Sequence, residues 1–173
     1  MALHGTAPIL LLAAALVALP TALAKSCQTP FVPLNNQWCV HALTNVPGKT
    51  YTWPSAREEC KKLGGDLVVV DTQGKMEALT AHLAATFTED DSSFPGFVKL
   101  YPYWVGGSNE AGQWQWVNGS PMSLTSNLWL PDNPSGGPSN IQYALLVRVG
   151  RSKRRYLRSE PSTNDAPGYV CEQ

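Results

Sequence analysis

The chain has 173 residues, a formal net charge of zero, 43% hydrophobic and 15% charged side chains. That is one domain's worth of chain, with enough apolar surface to form a core. The balanced charge supplies no field to gather a polyanion, which argues against a nucleic-acid partner.

Residues 9–19 are all leucine, alanine, isoleucine or valine, an apolar run too short to span a bilayer. Small residues at Ala22 and Ala24 fit a signal-peptidase site, so 1–24 reads as a signal peptide. The expectation is a secreted protein of one domain, 25–173, with no transmembrane segment. Cys27, Cys39, Cys60 and Cys171 remain after cleavage, and an even number in an exported chain points to disulfides. Three pairings are open from the residues alone. No Cys-x-x-Cys spacing occurs, and no histidine lies at metal-ligand spacing from a cysteine, which argues against a structural zinc.

Trp53, Ala56, Cys60 and Leu63 recur at spacings of three and four and predict a helix over 52–63 with an inward Cys60, ended by Gly64 and Gly65. Residues 66–70 are short and β-branched, as in a buried strand. Asp71 or Thr72 then caps a second helix to about residue 85, with Met76, Leu79 and Leu83 as its apolar stripe. Residues 86–101 have no period and read as a loop. A strand begins at Trp104, and 113–117 alternates up to an Asn118-Gly119 turn. A long irregular segment covers 118–140, the kind of loop that in a compact domain carries function. Late strands at 143–147 and 168–171 flank a basic stretch.

In order, the chain holds Trp53-x-x-Ala56-x-x-x-Cys60-x-x-x-Gly64-x-x-Leu67-Val68, Trp104-Val105-Gly106-Gly107, Gly112-x-Trp114-x-Trp116-x-x-Gly119, Trp129, Pro131-Asp132-Asn133 and Tyr169-Val170-Cys171-Glu172. This series resembles the C-type lectin-like domain and extends over nearly all of 27–173. The resemblance implies an α+β fold, two helices flanking two small antiparallel sheets, with a long loop carrying the ligand site. It also implies pairing of Cys60 with Cys171, and of Cys27 with Cys39 around an N-terminal loop. Trp104, Trp114 and Trp116 read as core, since they lie in strand segments bounded by turns. The chain departs from the family in lacking a second internal disulfide. Tyr143 lies near one of its positions and 159–164 has no cysteine, which is expected to loosen the base of the loop.

In sugar-binding members a calcium ion is held by a Glu-Pro-Asn or Gln-Pro-Asp triplet and by a Trp-Asn-Asp triplet. Calcium takes six to eight oxygens. Here the first triplet is read as Leu130-Pro131-Asp132, without its first oxygen ligand and with Pro131 the candidate cis proline. Asp132 and Asn133 are the remaining metal candidates, and Asp132 also suits a turn. The second triplet falls nearest Tyr156-Leu157-Arg158, where a cation replaces the carboxylate. Asn164-Asp165 is the other register. Calcium at the principal sugar site is therefore not expected. Six cations, Arg148, Arg151, Lys153, Arg154, Arg155 and Arg158, fall within eleven residues. They read either as a solvated hairpin edge or as a site for anionic groups. The candidate carbohydrate contacts are thus Pro131, Asp132, Asn133, Arg155, Tyr156 and Arg158.

No Gly-x-Ser-x-Gly, His-Glu-x-x-His or phosphate-cradling glycine loop is present. His41 and His82 read as surface residues and Glu89-Asp90-Asp91 as a solvated acidic run, so no enzyme is expected. Two binding roles remain: a secreted lectin of innate immunity recognising microbial surface glycans, anionic ones included, or a lectin fold serving protein recognition or assembly. Asn118-Gly119-Ser120 is a glycosylation sequon within a turn.

Overall fold

The computed structural model describes Met1 and residues 25–44, 48–87, 99–135, 140–149, 154–161, 163, 165–166 and 168–173. Residues 2–24 of the expected leader, the acidic run at 89–91, Arg151, Lys153 and Asn164 lie outside them.

Two strands, β1 (Val32–Leu34) and β2 (Trp38–Leu43), precede the first helix, α1 (Trp53–Lys62). Thr52 caps α1: its hydroxyl accepts the Ser55 N–H at 3.4 Å, and Pro54 in the first turn removes a donor that would have no partner there. The helix closes with the Gly65 N–H on the Cys60 carbonyl at 3.1 Å, across Gly64 at φ 83°. Its inner face is Trp53, Ala56 and Cys60, as the periodicity predicts. The strand β3 (Asp66–Leu67) leads to α2 (Gln73–Thr86), where the Thr72 hydroxyl accepts the Lys75 N–H at 3.2 Å and Met76, Leu79 and Leu83 turn inward.

The remaining strands are β4 (Lys99–Ser108), β5 (Gln115–Trp116), β6 (Gln142–Val149), β7 (Arg155–Pro161) and β8 (Gly168–Glu172). The sheet runs β1-β2-β8-β4-β6-β7, with β3 on β8 and β5 on β4. Its two antiparallel parts, β1-β2-β8 and β4-β6-β7, join along a short parallel contact that pairs Tyr103 with Gly168 and Trp104 with Tyr169. One face packs α1 with Trp104, Tyr143, Leu145, Val147 and Tyr169. The other packs α2 with Val68, Val105, Trp116, Leu146 and Leu157.

The two disulfides are Cys27–Cys39 and Cys60–Cys171, the pairing that the resemblance implies. The second ties the inner face of α1 to β8 and so joins an early segment to the C-terminus. Trp104 and Trp116 are core residues at 0% and 3% exposure, and Trp114 is half-buried.

Three local readings change. Residues 67–70 are buried, but only Asp66 and Leu67 pair as a strand, because Val68 is shared: its N–H goes to Val170 O and its carbonyl accepts Gly106 N–H. A Cβ on Gly106 would stand 2.7 Å from Leu67 O, so only glycine allows that approach. The strand expected from Trp104 already begins at Lys99. His41 and His82 are half-buried rather than on the surface, and burial lowers both imidazole pKa values.

Candidate functional site

The long loop is fastened at both ends. On entry the Met122 N–H meets Trp114 O at 3.0 Å, Trp129 Nε1–H meets Ser123 O at 3.1 Å, and the Trp114 and Trp129 rings meet edge to face at 5.0 Å. On return Asn109, 8% exposed, accepts the Gln142 N–H on Oδ1 at 2.7 Å and donates from Nδ2 to Asn140 O at 2.9 Å. Beside it Tyr143 donates its hydroxyl to Glu110 Oε1 at 2.6 Å and stacks on Trp53 at 4.5 Å. Tyr143, near one position of the missing disulfide, is thus joined to Glu110 at the loop base.

Between these ends the loop docks on β7. Leu157 N–H donates to Leu128 O at 2.7 Å, and Leu130 N–H donates to Leu157 O at 2.8 Å. Asp132 then takes φ 63°, a left-handed conformation that Asp tolerates better than most side chains, and is exposed. The cis peptide of this loop is Asn133–Pro134, not the bond before Pro131. The triplet with the cis proline is thus Asn133-Pro134-Ser135, three positions beyond its expected place, and Asp132 serves as the turn residue before it. Asn133 Oδ1 accepts the Ser159 N–H at 3.1 Å and the Ser159 hydroxyl at 3.2 Å, while Nδ2 donates to Pro131 O at 3.2 Å. Arg158-Ser159-Glu160 is therefore the strand segment at the triplet, two residues beyond the expected Tyr156-Leu157-Arg158. In the other register Asp165 accepts a hydrogen bond from the Thr50 hydroxyl at 2.9 Å, and Asn164 lies outside the described residues.

Pro131, Asp132 and Ser135 are exposed on this loop, and Asn133 is half-buried. The other three predicted contacts are not brought to it. Side chains alternate along a strand, so with Ser159 toward the loop, Tyr156 and Arg158 turn the other way. Arg158 pairs with Glu160 at 2.7 Å, and the Arg154 guanidinium lies 4.9 Å from the Tyr156 ring centre. Arg155, expected on a solvated edge, is 1% exposed, with its guanidinium 5.1 Å from the Tyr103 ring centre. Arg148, paired with it across the ladder, is 5% exposed. The basic stretch is therefore not a uniformly solvated edge: alternation sends part of it inward. Sequence reasoning missed Ser135 and Ser159, because serines carry no motif signal until their neighbours across the fold are known.

Members of the family that the chain resembles often bind calcium, and the described residues here do not fit such an ion. Both lone pairs of Asn133 Oδ1 are taken by Ser159 donors. The one carboxylate of the segment, Glu160, is held by Arg158, whose charge repels a second cation. Among the described residues no three His, Cys, Asp or Glu side chains cluster. A cavity of about 100 Å³ lies behind the loop, lined by Trp116, Met122, Ser126, Trp129 and Leu157. That is well below the roughly 300 Å³ of small ligand pockets, so this cavity does not house a sugar.

A family model described as Lectin C-type domain matches residues 49–173, and the chain belongs to that family. Among curated proteins it is 29% identical over 130 residues to C-type lectin domain family 4 member E of Mus musculus, covering 71% of this chain and 51% of that protein. It is 29% identical over 111 residues to the type-2 ice-structuring protein of Hemitripterus americanus, covering 63% and 54%. The chain thus spans about half the length of these relatives. Among solved structures, the SPL-1–GlcNAc complex matches with TM-score 0.63 at 17% identity, covering 88% of this chain and 98% of that one. This likeness shows the fold. Among the described residues no helix is long and apolar enough to cross a membrane.

Proposed function

We propose that this chain is a secreted carbohydrate-binding protein, with 1–24 its signal peptide and 25–173 its single lectin domain, that recognises microbial surface glycans in innate immunity. It binds rather than catalyses. The observation that carries the reading is the docked loop, which holds Pro131, Asp132 and Ser135 exposed on a hydrogen-bonded base. Such a rim offers a carboxylate and a hydroxyl to sugar hydroxyls without a deep pocket. Some structural neighbours are complexes with a sugar, as the SPL-1–GlcNAc complex is, and this supports the reading.

A glycan array probed with the secreted protein, in calcium and in chelator, tests it. Chelator-resistant binding that Asp132→Ala weakens is the expected result. Silence on every glycan in both conditions overturns the sugar reading. The engagement of Asn133 and Ser159 with each other favours a second reading, a lectin fold used for protein recognition or assembly.

A further inference from the structure

Ser159 is the point at which the loop and the strand meet. Its side chain sits in a residue only 3% exposed, and every hydrogen-bonding capacity of the hydroxyl has a partner. It accepts the Ser135 N–H at 2.8 Å, lies 3.2 Å from the Ser135 hydroxyl and 3.3 Å from Ser135 O, and donates to Asn133 Oδ1 at 3.2 Å. A hydroxyl has one proton and two lone pairs, so this set fills it. The same oxygen thereby holds both residues that flank Pro134, and the Ser159 N–H makes a second bond to Asn133 Oδ1.

We infer that Ser159 is the positioning residue of the 128–135 loop, and that this loop is ordered by the strand's own hydroxyl rather than by a metal ion. Here Ser159 ties the triplet to the strand directly, and Glu160, the carboxylate of the facing strand segment, is paired with Arg158. A divalent cation on Asn133 Oδ1 would have to displace both Ser159 donors. Loop geometry in this chain is consequently independent of calcium. The inference needs no sugar, so it stands or falls apart from the carbohydrate reading.

Hydrogen exchange of the full chain, read on peptides covering 128–135 and on the α1 peptide, tests it with calcium alone as the probe. For the unaltered protein the loop should exchange at the same rate in millimolar calcium and in excess EDTA, and calorimetric titration with calcium should show no saturable binding. Ser159→Ala should speed exchange of the loop on the order of tenfold, the loss of about one hydrogen bond, while the α1 peptide stays unchanged. Ser159→Thr, which keeps the hydroxyl, should restore slow exchange. Slowing of the loop by calcium in the unaltered protein overturns the inference, and that measurement stands even if a variant fails to fold. Loop exchange unchanged in Ser159→Ala overturns it as well.

Discussion

Tyr143→Phe is the sharpest test of how the loop base is held without a second disulfide. The substitution removes only the hydroxyl that donates to Glu110 Oε1 at 2.6 Å; the ring, 3% exposed and stacked on Trp53, remains. A hydrogen bond to a charged group contributes about 1.5–3 kcal/mol. Glu110 is exposed, so water screens the pair and rehydrates the carboxylate once the phenol is gone. The lower end, about 1.5 kcal/mol, is therefore expected, or roughly 3–6 °C in Tm for a domain of this size. Tyr143→Ala also deletes the ring and should cost about 3–5 kcal/mol. Urea denaturation of Tyr143→Phe, Glu110→Gln and the double variant gives the coupling directly. A loss below about 0.5 kcal/mol for Tyr143→Phe, or additive single effects, would refute the clamp.

The two disulfides should differ in value. Replacing Cys60 and Cys171 by alanine opens a loop of 111 residues and should cost ~5 kcal/mol in the chain-entropy model, against ~3 kcal/mol for Cys27 and Cys39 with a separation of 12. Equal losses in urea denaturation would contradict that ordering. Acid should weaken the fold below about pH 6.5, because burial lowers the pKa of His41 and His82 in the folded state. The unfolded chain then binds more protons, so stability present above that pH is lost as pH falls through the lowered values. Burial raises the Glu172 carboxyl above its ordinary 4.5, and this acts in the opposite sense closer to that value. A His41→Asn, His82→Asn variant should show a flatter fall in Tm between about pH 7.5 and pH 5.5, and an unchanged slope would exclude the histidines as its source.

Much of the scaffold is legible in the residues. The inner faces of both helices follow from period 3.6, and their starts from Thr52 and Thr72, since caps and periodicity are local properties. Much less of the site is legible. The triplet was displaced because Pro131 and Pro134 both stand in turn-rich sequence, and only the backbone distinguishes the cis bond. The strand segment was displaced because counting back from Cys171 passes through 162–167, whose length no local rule fixes. Arg155 and Arg158 look alike as cations, yet strand parity buries one and leaves the other paired beside Glu160.

The sequence by itself determined the family, the helices and the late strands, all of which depend on neighbours a few residues away. The tertiary structure decided which oxygens meet. Asn133, Ser135 and Ser159 are silent apart, and they form one network only because the register of β6 on β7 and the docking of the loop on Leu157 bring them together. Hydrogen bonds form over about 3 Å, so their partners are set by the packing of segments far apart in the chain.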